Sequence, residues 1–353
     1  MNKIYKRSLR ILSVFLSVIL LYTPLLSCTP KEGETGVNTE KENDGINIGM
    51  SFDSFVIERW QRDRDVFVST AKEMGAEVNV QNANGNIEEQ KKQIQYFIEQ
   101  NVDVIVIICI DADTLSEEVK KAKNAGIKVI AYDRIIRDAD LDLYISFDNK
   151  TVGRQMGEAL VGAGVGEGSN IVMIGGSLTD YNVPALEEGF TEVMDENKVT
   201  ITDQTHCDGW RAEIASEYVY SNMDIISNAD AIMCGNDNIA SKVVAALSEQ
   251  RLAGTIPVTG QDADLEACQR IVEGTQLMTV YKPVDELAKQ AAECAIKLAK
   301  DEDIKTDRTM NNGSFDVPYI SLTPIAVTVD NIDETIINSG FHTKEDVYLN
   351  VTE

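Results

Sequence analysis

One stretch of this chain occurs twice, and each time it ends in an aspartate. The first copy opens at Asp103 with Val104-Ile105-Val106-Ile107-Ile108-Cys109. It runs through a helical stretch to Gly126, then through Lys128-Val129-Ile130-Ala131 to Asp133. The second opens at Asp230 with Ala231-Ile232-Met233-Cys234, passes a helical stretch to Gly254, and continues through Pro257-Val258-Thr259 to Asp262. Short apolar runs on either side of a helical pattern read as βαβ units whose strands are covered on both faces. Open parallel sheets bind ligands beyond the carboxyl ends of their strands. Two such units therefore predict two similar domains, each turning a carboxylate toward a shared cleft.

The flanking sequence extends the pattern. A strand at Ile46-Asn47-Ile48-Gly49-Met50 precedes a helix with Trp60, Phe67, Ala71 and Met74 at helical spacing, stopped by Gly75. Another strand (77–81) and a helix marked by Ile94, Phe97 and Ile98 lead into the first copy. After Tyr144-Ile145-Ser146-Phe147 the series restarts: helix 152–161, strand 170–174, helix 185–194, strand 199–205 and helix 211–226 precede the second copy. The expected class is α/β, with two doubly wound parallel-sheet (Rossmann-like) domains in tandem, joined near Asp148-Asn149. A length of 353 residues agrees with two domains. The tail holds an Ala-rich helix over 284–300, a turn at Asn311-Asn312-Gly313, and an apolar run with Pro318 and Pro324. A tail packed on both domains makes the connection a multi-strand hinge. The expected N-terminal lobe is 46–148 plus about 283–317, and the C-terminal lobe is 149–282 plus about 318–345.

Residues 1–27 stand apart. Lys3, Lys6, Arg7 and Arg10 precede a short apolar stretch from Ile11 to Tyr22, interrupted at Pro24 and followed by Leu25-Leu26-Ser27-Cys28. A membrane span needs roughly 20 apolar residues, so this is a signal peptide rather than an anchor helix. Leu25-Leu26-Ser27-Cys28 resembles a bacterial lipobox, which implies cleavage before Cys28, lipid on its sulfur, and membrane attachment through that lipid only. An ordinary secretory signal with an incidental cysteine is the plainer alternative. Either way the mature protein is expected outside the cytoplasm, in the cell envelope. Residues 28–45 are polar and charged and read as a flexible tether.

The chain carries 58 acidic and 32 basic residues, a net −26; four of the basic and none of the acidic ones lie in 1–27, leaving −30 afterwards. Such a surface repels phosphate backbones and anionic headgroups, so no nucleic-acid partner is expected. Beyond Cys28, the cysteines are Cys109, Cys207, Cys234, Cys268 and Cys294, without a C-x-x-C pair. With only His206 and His342 besides, neither a metal site nor a cofactor is expected.

Both tryptophans adjoin an arginine just past a strand: Arg59-Trp60 and Trp210-Arg211. Helical periodicity alone makes Trp60 a core residue; Trp210, in the turn Asp208-Gly209-Trp210, fits a core less well. Two indoles across a cleft suit a pyranose, whose C–H faces are apolar and whose hydroxyls lie at its equator. Carboxylates would accept hydroxyl protons in that plane, and Arg and Lys would donate to the oxygens. In-plane candidates at strand ends are Asp133-Arg134, Asn236-Asp237, Asp262 and Lys282. For each, a loop charge or helix N-cap is the bland alternative, Asn236-Asp237 especially. Asp113 and Asp264 read as caps.

With these residues in view, the chain resembles the periplasmic sugar-binding proteins of the ribose/galactose type, over about Ile46 to His342. The resemblance rests on an ordered series: Glu58-Arg59-Trp60-Gln61 with Asp63-Arg64-Asp65, Ala83-Asn84-Gly85-Asn86, Ala131-Tyr132-Asp133-Arg134, Tyr144-Ile145-Ser146-Phe147-Asp148-Asn149, Asp208-Gly209-Trp210, Gly260-Gln261-Asp262-Ala263-Asp264-Leu265 and Met278-Thr279-Val280-Tyr281-Lys282-Pro283. Within that family it is most similar to members that bind D-xylose for an ABC importer. The resemblance implies the type I periplasmic binding protein architecture, a monomer, an importer permease as partner, and sugar contacts from Arg59, Trp60, Asp133, Arg134, Trp210, Asn236, Asp262 and Lys282. It also implies an asparagine from a Gly-Gly-Ser segment. Asn182 is the match, although Tyr181-Asn182-Val183-Pro184 departs from the family pattern.

Three other readings compete. Bound sugar presented to a chemoreceptor or sensor kinase would use the same fold. A glycosidase would use Asp133 and Asp262 as acid and base, but the abundance of in-plane donors favours holding a free sugar, so no enzyme is expected. A sugar-responsive repressor shares the fold by resemblance, but its DNA-binding head would stand where the lipobox stands, and the charge is wrong.

Overall fold

Central strands that are apolar on both sides can only be stable inside two layers of helix, and the molecule has that construction twice. The computed structural model describes residues 45–306 and 308–351; the expected leader, Cys28 and the tether up to residue 44 lie outside the described residues. The first sheet contains β1 (Ile46–Phe52), β2 (Ala76–Asn82), β3 (Val104–Ile107), β4 (Lys128–Tyr132) and β5 (Leu143–Phe147), and the second β6 (Asn170–Gly175), β7 (Thr200–His206), β8 (Ala231–Cys234), β9 (Val258–Gln261) and β10 (Met278–Tyr281). The tail adds β11 (Arg308–Asn311), β12 (Asp316–Leu322) and β13 (Ile325–Val327). Strand order is β11-β12-β5-β4-β3-β1-β2 in one sheet and β13-β10-β9-β8-β6-β7 in the other. All pairings are parallel except β11 with β12 and β10 with β13. Every residue of β3, β5, β8, β9 and β10 is buried, as two-sided coverage demands.

The helices of the first lobe are α1 (Arg59–Glu73), α2 (Ile87–Glu99) and α3 (Ser116–Asn124). Those of the second are α4 (Asn149–Gly162), α5 (Asn182–Glu196), α6 (Glu213–Ser221), α7 (Met223–Ile226), α8 (Asp237–Glu249) and α9 (Leu265–Glu273). The tail supplies α10 (Val284–Ala299) and α11 (Lys344–Val347). Helix α10 returns to the first lobe and packs on α1, while α2 packs on α3; α4 packs on α5, and α6 on α8. The chain thus passes between lobes three times, at Asp148-Asn149, Lys282-Pro283 and Thr323-Pro324. The first and third passages are bonded, Asp148 N donating to Leu322 O at 3.1 Å. Sheet membership keeps β12 in the first lobe, with Tyr319–Leu322 paired with β5, so the third passage falls a few residues beyond the expected boundary at about 317/318.

Two local differences from the sequence reading have visible causes. The expected helix over 211–226 is broken at Asn222, whose backbone (φ −126°, ψ 36°) ends α6 and starts α7. Strand β3 ends two residues before Cys109 because Gln90 bonds the next strand-edge groups, donating to Ile108 O and accepting from Ile110 N.

Helices α4 and α5 approach closely enough that only glycine fits at their crossing. A Cβ on Gly153 would overlap the Leu186 carbonyl, and one on Gly189 the Lys150 carbonyl. Backbone cannot swing aside as a side chain can. Gly153→Ala is therefore expected to destabilise the protein by about 2 kcal/mol, read as a lowered urea midpoint with an unchanged slope; an unaltered midpoint would show that the helices separate freely.

Candidate ligand-binding site

The two copies end in the same backbone device. Asp133 follows β4 and Asp262 follows β9; Asp133 N donates to Ile145 O at 2.8 Å and Asp262 N to Val280 O at 2.9 Å. Each bond is the last rung of the ladder to the next strand, and both aspartates then leave the sheet in left-handed conformations, at φ 63° and 98°. Non-glycine residues rarely do so, and aspartate tolerates it better than most. The result in each lobe is a carboxylate projecting past the strand ends.

These carboxylates help to line one pocket, bordered by side chains of both lobes. Arg59, Trp60, Asp133, Arg134, Asn182, Trp210, Asn236, Asp262 and Lys282 all border it. Arg59 opens α1, where its guanidinium is bonded to Asp63 one turn on (Nη2–Oδ1 2.9 Å, Nε–Oδ2 3.2 Å). Its Nη1 lies 3.0 Å from Asp133 Oδ2 and 3.8 Å from Asp262 Oδ1 in the other lobe. Asp63 also accepts from Tyr132 Oη at 2.5 Å, so Arg59 is held from behind. Arg134 lies between Asp53 of its own lobe and Asp180 of the other, each at 2.8 Å. Lys282, at the second passage between lobes, has its Nζ 3.3 Å from Asp262 Oδ1.

Trp60 is both a core residue and a wall of the cavity: it is buried edge-on against Phe52, with the Arg59 guanidinium 4.5 Å from its ring centroid. Trp210 reaches the cavity from a 3-10 turn, Asp208–Trp210, its ring laid over Gly176 where a Cβ would collide with it. Asn236 caps α8 by accepting from Ile239 N at 2.9 Å and borders the cavity as well. Its neighbour Asp237 does not border it. Asp237 is fully buried and accepts from Thr279 Oγ1, Gln276 Nε2 and Asp264 N, which fixes the loop after Asp262. Burial pushes its carboxyl up to about 7 despite those donors. Asp264 occupies the cap position of α9 without a side-chain cap bond, and Asp113 pairs instead with Arg137.

Asp180, Asn149 and Gln261 line the cavity without having been singled out in the sequence. Asp180 had one available signal, a position two residues before Asn182 in the Gly-Gly-Ser segment. The lining holds three carboxylates (Asp133, Asp180, Asp262) and three cations (Arg59, Arg134, Lys282). Burial works against ionisation of Asp133, but Arg59, Lys282 and Arg134 outweigh it and hold the carboxyl below its usual range. Burial pushes Asp180 and Asp53 up, against the pull of Arg134. Balanced charge of this kind accommodates a neutral molecule with many hydrogen-bonding groups; a charged one would leave an ion uncompensated. Among the described residues, Trp60 Nε1, Trp210 Nε1, Arg134 Nη2 and Gln261 Oε1 are buried without a hydrogen-bond partner. Buried polar atoms normally have one, and these four are on pocket residues.

The pattern of the periplasmic binding protein domain matches residues 48–303. The chain belongs to the periplasmic binding protein family. Among family members, the D-xylose-binding periplasmic protein of Haemophilus influenzae is 44% identical over 308 residues, covering 86% of this chain and 92% of its own. The D-xylose-binding periplasmic protein of Escherichia coli is 45% identical over 307 residues, with the same coverage of 86% and 92%. A carbohydrate transporter solute-binding protein from Chloroflexus aurantiacus, solved in complex with D-glucose, superposes with a TM-score of 0.78 at 27% identity, over 85% of this chain and 97% of its own. Periplasmic binding proteins bind and do not catalyse, and the family places two such α/β lobes around a ligand. No helix among the described residues is long and apolar enough to cross a membrane, and no cluster of ligating side chains among them could hold a metal ion.

Proposed function

We propose that this binding protein captures a monosaccharide, D-xylose, between its lobes outside the cytoplasm and delivers it to an ABC importer. The observation that carries this is the balanced lining: three carboxylates, three cations and two indoles contributed by both lobes to one pocket. The D-xylose-binding relatives support the choice of sugar. Asp133 and Asp262 accept hydroxyl protons, Arg59, Arg134 and Lys282 donate to ring and hydroxyl oxygens, and Trp60 and Trp210 cover the C–H faces. Asn182 and Asn236 complete the plane. A sugar that lacks or misplaces a hydroxyl leaves one of these buried groups unpaired, which is the source of selectivity. Sugar contacts made from both lobes favour the closed form over the open one, and only that difference in affinity drives closure.

A calorimetric panel of D-xylose, L-arabinose, D-ribose and D-glucose tests the reading. D-xylose should bind most tightly; binding of none of the four rejects it. Attachment through lipid on Cys28 belongs to the same proposal. Cys28→Ser should move the protein from the membrane fraction to the soluble one, and an unchanged distribution would reject the lipid anchor. Presentation to a chemoreceptor or sensor kinase uses the same cleft. Capture of an importer permease, rather than a sensor, from solubilised membranes separates the two.

A further inference from the structure

Four consecutive residues of the second lobe, Thr179-Asp180-Tyr181-Asn182, each touch the first lobe. Thr179 O accepts from Ala112 N at 3.0 Å, and Thr179 Oγ1 donates to Ile110 O at 3.2 Å. Asp180 Oδ2 lies 2.8 Å from Arg134 Nε. The Arg137 guanidinium sits 5.4 Å from the Tyr181 ring centroid. Asn182 Nδ2 donates to Asp133 O at 3.0 Å, and its Oδ1 accepts from Tyr144 Oη at 3.2 Å. Elsewhere along the seam Asn238 Nδ2 donates to Val56 O at 3.5 Å, Arg62 meets both the Phe341 carbonyl at 3.1 Å and the Phe341 ring, and Arg59 approaches Asp262.

The four residues divide by role. Asp180 and Asn182 border the cavity, whereas Thr179 and Tyr181 do not and are exposed at the seam. Two partners of the exposed pair, Ala112 and Arg137, are likewise off the cavity lining. Contacts that exist only when the lobes meet, and that touch no ligand, add the same free energy to closure whatever occupies the cleft.

We infer that Thr179 and Tyr181 form an interlobe clasp that sets how readily the lobes close, and thereby scales affinity for every sugar by a common factor without choosing among sugars. The inference rests on the proposed sugar-binding function only for its affinity readout. Arg137, itself paired with Asp113 at 2.9 Å, presents its cation to the Tyr181 ring, and Thr179 ties the loop after β3 to the loop after β6. Exposed contacts of these two kinds are individually modest, so removing both should change the closing equilibrium by about five- to tenfold.

The test compares Thr179→Ala/Tyr181→Ala with the wild-type full chain and with Tyr181→Phe, which keeps the ring. Exchange of the Ala112 amide hydrogen, followed by NMR without sugar, reads the clasp directly because that amide donates across the seam. The double variant should exchange about five- to tenfold faster at Ala112 and bind each sugar of the panel more weakly by one common factor. Tyr181→Phe should behave as wild type. Unchanged Ala112 exchange, or affinity losses that differ from sugar to sugar, would overturn the clasp. If the wild type binds no sugar, the functional proposal fails while Ala112 exchange still decides this one.

Discussion

Asp262→Ala is expected to weaken D-xylose binding at least about a hundredfold while the protein stays folded. The alanine removes an acceptor for sugar hydroxyls and leaves Lys282, 3.3 Å away and buried, without its carboxylate. Truncating one partner of a buried hydrogen-bonded charge pair costs about 2–5 kcal/mol at an interface, and each 1.4 kcal/mol is tenfold in affinity. Asp262 also leaves the sheet at φ 98°, a conformation that alanine dislikes, so a little stability should go with it. Trp210→Ala should weaken binding by a comparable amount for a different reason. It strips apolar cover from one side of the cavity and opens space over Gly176. Calorimetry on both variants, beside circular dichroism to confirm folding, checks the pair. Near-normal affinity in both would sink the assignment of the site.

Arg59→Ala is expected to destabilise the first lobe by about 3–5 kcal/mol and to abolish measurable sugar binding. One guanidinium serves Asp63 and Asp133, and it also approaches Asp262 across the cleft. Burial opposes its charge, yet those carboxylates hold its proton well above the ordinary arginine range. Without it, fully buried Asp63 keeps only Tyr132 as a side-chain partner among the described residues, and uncompensated buried charge is among the most destabilising single changes known. Arg59→Lys should recover part of the stability, because it restores charge but not the forked geometry. Urea denaturation of the two variants provides the check. A loss under 1 kcal/mol in the alanine variant would mean that the carboxylates take up protons instead of needing Arg59.

Much of the architecture was legible because parallel strands buried on both faces must be apolar throughout, and that pattern survives in a single sequence. The doubled segment located Asp133 and Asp262 because strand ends in such sheets always point to one edge. The turn that aims each of them was not legible, since a left-handed backbone at an aspartate leaves no mark in the apolar pattern. Asp53 and Asp180 were missed for a related reason. Their partner, Arg134, is distant in sequence and is reached only after folding, and Asp180 belongs to a loop without periodicity. Asp63 lay in a quoted motif, one turn from Arg59, but its bond to Tyr132 joins a helix to a strand in a way no spacing reveals. Trp60 shows the limit of choosing between core and site, because it is both.

The three passages between lobes also govern the order in which the molecule can be finished. The first lobe begins the sequence, yet its sheet lacks the partner of β5 until β12 has emerged, and α1 lacks its neighbour until α10 has. The second lobe, residues 149–282, emerges almost wholly before either event. A chain threaded across a membrane from its N-terminus therefore carries an unfinished first lobe, with an open strand edge and a bare apolar helix face, through most of its passage. Such surfaces are prone to mispairing. The lobe translocated first is not completed until Leu322 has emerged, so a truncation anywhere before Leu322 damages the beginning of the protein as well as its end.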